Sequence, residues 1–335
     1  MKNIFLYPKH DRFYGSPNPY IFDFHRELAK KHRVVNKNAP NIGTLNLFVY
    51  FLRTDVFLFN WIENLPEKKF GSLQVAGFVF FLWLVRLFKK KIVWVLHNKG
   101  SHHQRDNQQA DKVFSLMMRR SDKIITHSES GKSFVEETYP EQATKVVVIL
   151  HPISELFPII DAKKTIDFLI WGSVHRYKGI DKFLNFLTTL PEEHRFNVRI
   201  VGKCFDKTYL KEITAYVNED ITFTNEILEL EEIYRIAQKA KFILFTYNSD
   251  TVISSGSLID SIRMGSVILG PNHGAFKDLS NLSFVKTYEN FEDIIECSRF
   301  TGTTAHQLRS EREVFFEENN WERFIEKVDR VLADL

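Results

Sequence analysis

Short apolar runs alternate with longer stretches along the whole chain, and the apolar residues of the longer stretches recur at helical spacing. The short runs are continuously apolar rather than alternating, which is typical of strands buried on both faces of a parallel sheet. Because helices that join parallel strands make right-handed crossovers, the pattern predicts an α/β fold of two doubly wound, Rossmann-like domains. The predicted strands are residues 3–7, 33–35, 55–60, 91–96, 123–126, 145–150, 167–171, 197–201, 221–224, 241–245, 266–269 and 283–285.

The break between the two predicted domains lies within residues 151–164, where Pro152 and Pro158 precede a polar stretch. The domains then span residues 1–155 and 156–310, and residues 311–335 form a C-terminal helix that is a candidate for packing back toward the first domain. Two such domains facing a cleft are expected to bind ligands beyond the carboxyl ends of their strands. Functional residues are therefore expected in loops that directly follow strands.

The composition narrows the class of protein. An apolar fraction of 44% and a charged fraction of 26% are ordinary for a globular protein, which excludes a disordered or collagen-like chain. Two cysteines far apart exclude a disulfide scaffold and a thiolate zinc site. The amino terminus shows no signal-peptide pattern, so a cytoplasmic protein is expected.

The charge is distributed unevenly between the two halves. Residues 1–155 hold 23 Lys+Arg and 14 Asp+Glu, a net charge of +9, whereas residues 156–335 carry −6. A basic first half suggests an anionic partner such as phosphate or a membrane, and the alternative is an uneven spread of solvated faces.

One segment of the first half is unusually apolar. The uncharged apolar stretch 71–85 has 15 residues and falls short of the ~18 that indicate a transmembrane helix. Residues 71–88 are apolar around a whole helical circumference. Such a helix is either buried in a core, which is the favoured interpretation here, or in contact with lipid.

Two loops of the first half place polar side chains beyond predicted strands. The loop 7–20 is long and rich in Gly and Pro, and Asn18 with Pro19 at the first helical position is expected to cap the next helix. That role leaves the length of the loop and residues 10–12 unexplained. The segment 97–103 holds three histidines but no Asp, Glu or Cys, which disfavours a metal site. An imidazole that contacts a substrate hydroxyl is expected instead.

Two loops of the second half suit an anion. The Gly172–Ser173 pair follows a strand and lets a ligand approach the backbone, while Arg176 and Lys178 add positive charge. The Ser-Ser-Gly-Ser run at 254–257 opens a helix whose free N–H groups and dipole favour phosphate. Asp260 lies one turn further on and is a candidate acceptor of hydrogen bonds from vicinal hydroxyls. The alternative for the first of these loops is a basic solvated turn, and the alternative for the second is a capped helix.

By their order and spacing along the chain, these and the neighbouring motifs resemble those of glycosyltransferases of the B fold, of the large group 1 type. The resemblance covers nearly the whole chain. The second-half motifs are Arg176 with Lys178-Gly179, Ile200-Val201-Gly202, Ala237 to Tyr247, Ser255-Gly256 through Asp260 to Gly265, and Pro271-Asn272-His273-Gly274. The first half resembles bacterial enzymes that extend lipid-linked saccharides for surface polysaccharide. The motifs that carry this second resemblance are Asn18-Pro19-Tyr20, Trp94 to Asn98 with His102, and Trp321.

The resemblance implies a metal-independent hexosyltransferase without a cofactor, which moves a sugar from a UDP- or GDP-sugar to a saccharide or a lipid-diphosphate-linked saccharide. The second domain is then the nucleotide-sugar domain, with residues 226–229 along the nucleobase pocket, and the first domain is the acceptor side. The implied donor-binding residues are Gly172, Ser173, Arg176, Lys178, Gly202, Lys203, Ile227, Leu228, Tyr247, Ser254, Ser255, Gly256, Ser257 and Asp260. The implied acceptor-side residues are Tyr14, Asn18, Tyr20 and Asn98.

Two departures from the family pattern leave the stereochemical outcome open. Retaining members carry Glu-x7-Glu, but the first position here is Val252 and the second is Asp260. Some relatives with Ser-Gly at this point invert, and inversion needs a general base near the acceptor hydroxyl. The candidates for that base are Asp11, Glu63, His97 and His102, and in a retaining enzyme His97 would contact the donor sugar.

Three other functions compete with this interpretation. A nucleotide-sugar 2-epimerase of similar fold would need several acid–base groups near the donor sugar, where this chain has Val252 and Ser254. A non-catalytic two-lobed sugar-binding protein is normally exported, and a dinucleotide dehydrogenase would need Gly-x-Gly-x-x-Gly after the first strand. The expected location is the cytoplasm at the inner face of the membrane, with peripheral contact held by charge and no nucleic-acid partner.

Overall fold

The computed structural model describes residues 1–9, 19–40, 42–100, 108–160, 162–247, 253–299 and 305–335. The chain divides into two compact units, of which the first is Met1–His151, Thr251–Ser254 and Trp321–Leu335 and the second is Pro152–Asp250 and Ser255–Asn320. The sequence boundaries at 155 and 310 therefore shift, because the chain leaves the first unit after His151 and returns to it at Trp321.

The first unit contains a six-stranded parallel sheet in the order β2-β1-β3-β4-β5-β6. The central strand β3 has the sequence VFLFN and is buried at every position, as a continuously apolar run requires. Phe57 in β3 pairs with Phe5 on one side and Ile92 on the other. The strands are β1 Asn3–Tyr7, β2 Arg33–Val34, β3 Val56–Asn60, β4 Lys91–Leu96, β5 Lys123–Thr126 and β6 Val146–Val148.

Helices cover both faces of this sheet. One core layer packs Phe78, Phe81 and Met117 against Trp94 of β4. Pro19 was expected at the first helical position, but it occupies the N-cap position of the first helix. Asn18, the expected cap, lies outside the described residues. The helices are α1 Tyr20–Lys31, α2 Leu45–Val49, α3 Gly71–Leu87, α4 Gln108–Arg120 and α5 Glu129–Thr138, with 3₁₀ turns at Phe51–Arg53, Ile62–Glu67 and Pro140–Lys145.

Helix α3 corrects the expectation of a fully buried core helix. Val75, Phe78 and Val85 are buried, but Phe80 and Trp83 are more than half exposed. The helix forms an outer layer of the unit, so only one side of its apolar surface meets the sheet. Among the described residues, no helix combines the length and apolarity that a membrane span needs.

The second unit contains another six-stranded parallel sheet, in the order β12-β11-β10-β7-β8-β9. Its first strand, β7, lies in the middle, between β10 and β8. The strands are β7 Ile166–Trp171, β8 Val198–Val201, β9 Ile221–Thr224, β10 Ala240–Leu244, β11 Val267–Pro271 and β12 Val285–Tyr288. The helices are α6 Ile180–Leu187, α7 Lys207–Thr214, α8 Leu230–Ala237, α9 Gly256–Met264, α10 Gly274–Asp278, α11 Phe291–Ser298 and α12 Ala305–Asn319, with 3₁₀ turns at Arg176–Lys178 and Glu192–His194.

The C-terminal region forms two helices instead of the single predicted one. Arg312 of α12 is buried and donates to the carbonyl oxygens of Ile262 and Phe157, which ties α12 to the second unit. The last helix, α13 Trp321–Ala333, belongs to the first unit. Phe324 of α13 packs edge-on against Phe24 of α1, so the face of the first sheet opposite α3 is covered as well.

Each sheet has one point where the strand order reverses. In the first unit this switch point lies between β1 and β3, and in the second between β7 and β10. Ligands of open α/β sheets bind beyond the carboxyl ends of the strands that flank such a point. The loops after these strands are therefore the places to search for chemistry.

Candidate functional site

In the second unit, the loops after β7 and β10 bring small residues around one lysine. Gly172 follows β7 with φ 93, a conformation that favours glycine. A Cβ on Gly172 would lie 3.2 Å from Lys178 Nζ and 3.1 Å from Ser257 Oγ. The ring centre of Tyr247, which follows β10, is 5.7 Å from the same Nζ. The predicted residues Gly172, Lys178, Tyr247 and Ser257 are thus brought together at the switch point.

The start of helix α9 completes this cluster. Ser255 is the N-cap residue, and its Oγ accepts a hydrogen bond of 3.3 Å from the Leu258 N–H. The Tyr247 hydroxyl lies 3.1 Å from the same oxygen. The first helical residues are Gly256 and Ser257, and the N–H groups of a first turn have no partner within the helix. These donors and the positive end of the helix dipole favour an anion.

The electrostatics of Lys178 are the most distinctive feature of the cluster. Its side chain is buried, with 4% of the residue exposed, and no carboxylate pairs with it among the residues that the structure describes. Burial lowers the pKa of the Lys178 ammonium to about 8. A buried charge without a counter-ion is costly, and an anionic ligand would supply the missing partner.

Arg176 does not join the cluster. Its guanidinium donates to both carboxylate oxygens of Glu212, at 2.6 and 2.8 Å, and to Asp206 at 3.3 Å. It also lies over the Tyr209 ring, 4.7 Å from the centre. The hydrogen bonds to Glu212 raise the pKa of Arg176 further above its usual value. The predicted second phosphate-binding cation is therefore paired with carboxylates of helix α7 and its cap.

The loop after β8 fixes the geometry of the loop after β7. Gly202 has φ 154, and a Cβ there would lie 1.8 Å from the carbonyl oxygen of Gly172. Lys203 donates to the carbonyl oxygen of Asn225 at 3.2 Å and is thereby tied to the loop after β9. In that loop Ile227 is 49% exposed, and Leu228 is half-buried. Their predicted place along the nucleobase pocket stays a prediction.

The structure also describes three other predicted donor residues. Asp260 is one turn inside α9, where it forms an ion pair of 2.8 Å with Arg263. Ser173 is exposed beside Gly172. Ser254 is half-buried and falls in the segment Thr251–Ser254 of the first unit. Val252 lies outside the described residues, so the missing first glutamate of the family motif has no structural account.

The first unit places a group of stacked rings at its own strand ends. His97 follows β4, and its Nε2 lies 3.1 Å from Oδ1 of Asn60 at the end of β3. Its ring stacks on Trp61 with centres 4.2 Å apart and planes at 20°. The Tyr20 ring meets His97 edge-on at 5.3 Å. Of the predicted first-unit residues, the structure brings His97 and Tyr20 together, and Asn98, which follows His97 in the chain, is buried.

His127 is a member of this group that the sequence analysis missed. It directly follows β5, so the same rule of searching behind strands would have found it. Because a carbonyl only accepts, its Nδ1–H donates to the Ile149 oxygen at 2.8 Å, and Nε2 accepts from the Tyr20 hydroxyl at 3.0 Å. Burial lowers the pKa of His127 to about 3, so the imidazole is neutral.

The remaining base candidates separate into two kinds. Glu63 lies in the 3₁₀ turn after β3 and is only 1% exposed. Burial raises the pKa of its carboxyl to about 7. The base candidates Asp11 and His102 lie outside the described residues, and so do the predicted acceptor-side residues Tyr14 and Asn18. Within the residues that are described, no three His, Cys, Asp or Glu side chains are grouped as a metal site would need.

No known protein-family profile matches the chain, and no curated protein sequence matches it. Solved structures do. HepE of Anabaena in complex with UDP and glucose is 13% identical over 100% of both chains, with a TM-score of 0.68. A glycosyltransferase from Rickettsia africae is 13% identical over 92% of this chain and 87% of that one, with a TM-score of 0.59. An α-glucosyltransferase (AGT) in complex with UDP is 13% identical over 98% of both, with a TM-score of 0.59.

These neighbours confirm the predicted fold class. Two parallel sheets with interleaved helices, one in each unit, are the glycosyltransferase B fold. At such low identity the likeness shows the fold alone. The chemistry depends on the residues at the carboxyl ends of the strands in each sheet.

Proposed function

We propose that the protein is a glycosyltransferase that takes a sugar from a uridine diphosphate sugar. The observation that carries the proposal is Lys178, a buried ammonium with no described carboxylate partner, beside Gly172 and the start of α9 at the β7/β10 switch point. Similar structures hold UDP or UDP-glucose, which favours UDP over GDP as the leaving group.

The geometry suits a departing diphosphate. Negative charge grows on the leaving phosphate as the sugar transfers, and fixed donors that meet this charge lower the barrier. Lys178, the Ser257 hydroxyl and the first-turn N–H groups of α9 are such donors. They supply positive charge without a divalent ion, so we propose that transfer is metal-independent and persists in EDTA. A strict need for manganese or magnesium would contradict this part.

On the acceptor side, we propose a saccharide, either free or linked to a lipid diphosphate in surface polysaccharide synthesis. The ring group of Tyr20, Trp61, His97 and His127 supports a sugar hydroxyl as the ligand, because imidazole nitrogens beside stacked aromatic faces can hydrogen-bond such a group. The net charge of +9 on residues 1–155 supports an acceptor at an anionic membrane face.

A panel of nucleotide sugars tests the reaction class. Thermal shift identifies the donor that stabilises the protein, and liquid chromatography then follows that donor with and without candidate acceptors. A glycosyltransferase releases UDP, and the release increases when the correct acceptor is present. Conversion of the donor into an isomeric nucleotide sugar without UDP release would instead identify an epimerase. Binding with neither product would identify a sugar-binding protein.

A further inference from the structure

The outer side of helix α3 carries apolar residues where a surface helix normally carries polar ones. Leu73, Phe80, Trp83 and Leu87 recur at helical spacing, and they are 74%, 54%, 57% and 59% exposed. The opposite side of the helix packs into the core through Phe78, Phe81 and their neighbours. The helix is therefore apolar all round, yet only half of its surface is buried.

The preceding segment extends this surface. Phe48 of α2 stacks on Phe80 at 6.1 Å, and Phe80 stacks on Trp83 at 5.7 Å. We term the exposed apolar side chains of α2, of the 3₁₀ turn after it, of α3 and of the residue after α3 the apolar face: Leu45, Val49, Leu52, Leu73, Phe80, Trp83, Leu87 and Phe88. Contiguous apolar surface of this kind marks an interaction site.

All charged residues in the two sequence segments that form the apolar face are basic. Residues 42–54 and 68–91 contain no Asp or Glu. Their exposed basic residues stand before, among and after the apolar side chains: Arg53, Lys68, Lys69, Arg86 and Lys89. A second copy of this face would bring like charges together, whereas a layer of lipid phosphates would neutralise them.

We propose that the apolar face inserts into the headgroup–acyl boundary of an anionic lipid bilayer, with the flanking lysines and arginines on the lipid phosphates. Aromatic and aliphatic side chains next to basic ones are the composition of segments that lie in this interface. This inference rests on the proposed function, since it places the enzyme at the membrane that would carry its acceptor. It also replaces attachment by charge alone, because burial of apolar surface persists when salt screens the charges.

Vesicle flotation with the full chain tests the proposal. The double variant Phe80→Ser/Trp83→Ser removes two exposed rings, and Phe205→Ser, 70% exposed in the second unit, is the matched control. With phosphatidylglycerol vesicles at low salt, we expect the double variant to partition at least about tenfold more weakly than wild type. The control should float like wild type, and part of the wild type should stay bound in high salt.

Trp83 provides a second readout, since it is the exposed one among the five tryptophans. Subtracting the fluorescence emission of Trp83→Phe from that of wild type gives the emission of Trp83. With these vesicles we expect that emission to shift to shorter wavelength and to be quenched by brominated acyl chains. The proposal is overturned if the double variant floats like wild type, if wild type binds no anionic vesicle, or if high salt releases it fully. It is also overturned if the face joins two copies, seen as a dimer that the double variant dissociates.

The same variants keep the membrane test separate from the enzymatic one. UDP affinity and donor hydrolysis in vesicle-free buffer should be unchanged in Phe80→Ser/Trp83→Ser. Loss of flotation with intact UDP binding supports the lipid surface. Intact flotation in a protein that binds no nucleotide would leave the surface standing and reject the proposed function.

Discussion

The loops after β7 and β10 in the second unit are built from small residues around one buried cation, whereas the loops after β3, β4 and β5 in the first unit are built from stacked rings. Gly172, Ser257 and Lys178 leave space and positive charge. Trp61 and His97 instead fill their edge with aromatic faces and ring nitrogens. Both sheets are parallel and doubly wound, so the side chains at the strand ends, rather than the topology, determine which ligand each edge can hold.

The largest expected effect tests how tightly the second-unit edge is built. Gly202→Ala places a Cβ against the Gly172 carbonyl at a φ that L-residues rarely adopt. We expect the free energy of unfolding to fall by about 3–5 kcal/mol, because backbone strain of about 1–3 kcal/mol adds to a backbone clash. Chemical denaturation measures it. Gly100→Ala in the first unit is the control, since no heavy atom of the described residues lies within 4 Å of the place its Cβ would take. Equal stability of the two variants would contradict the close approach of the loops.

The next effect tests whether one cation or two hold the diphosphate. Lys178→Ala should weaken UDP binding by about 1.5–3 kcal/mol, the range of a hydrogen bond to a charged group. Arg176→Ala is the control, because its guanidinium is already paired with Glu212 and Asp206. We expect less than about a twofold change in affinity for that variant. Isothermal calorimetry that ranks the two variants in the reverse order would move the phosphate site to Arg176.

These two cations also show what the sequence could and could not predict. A loop with Arg176 and Lys178 two residues apart reads as one basic site. The carboxylates that pair with Arg176 come from Asp206, 30 residues further along at the N-cap of α7, and from Glu212, 36 residues further along within α7. Only the folded arrangement decides which of the two cations lacks a carboxylate partner among the described residues. His127 was within reach of sequence reasoning, because it stands directly behind a correctly predicted strand.

The twelve strands were predictable for a simple reason. Eleven of them are marked by continuous apolar runs, and their ends in the structure differ from the predicted ones by at most two residues. The last predicted strand, 283–285, instead runs from Val285 to Tyr288. This strand lies at the sheet edge and is buried only at its two ends, so its middle residues carry no apolar signal. The outer side of α3 was unpredictable because periodicity cannot show which neighbours cover a helix.

The third effect is the pH dependence of the second-unit edge. The pKa of Lys178 is lowered to about 8, so the free protein loses this positive charge as the pH rises above that value. UDP affinity should fall above pH 8, by up to about tenfold per pH unit, and Lys178→Ala should show no such slope.

The stability of the unliganded protein should change in the opposite direction. Between pH 8 and the usual value of 10.5, the unfolded chain binds a proton at Lys178 that the folded protein does not. The contribution of this group to the free energy of unfolding therefore rises with pH in that window. Denaturation of wild type and Lys178→Ala across this range isolates it. If the difference between them stays constant, Lys178 titrates normally and is not buried as a lone charge.

The smallest effect belongs to the first-unit edge. Tyr20→Phe removes the hydroxyl that donates to Nε2 of His127 and leaves that buried nitrogen without a partner. We expect a loss of about 1–2 kcal/mol in the free energy of unfolding, the cost of one unpaired buried polar group. Tyr139→Phe is the matched control, since no described hydrogen bond involves its hydroxyl. UDP affinity should be the same in both variants, because we propose the ring group for the acceptor and the second-unit edge for the diphosphate. A Tyr20→Phe protein that is fully stable but binds UDP more weakly would assign Tyr20 to the donor and remove the division of chemistry between the two edges.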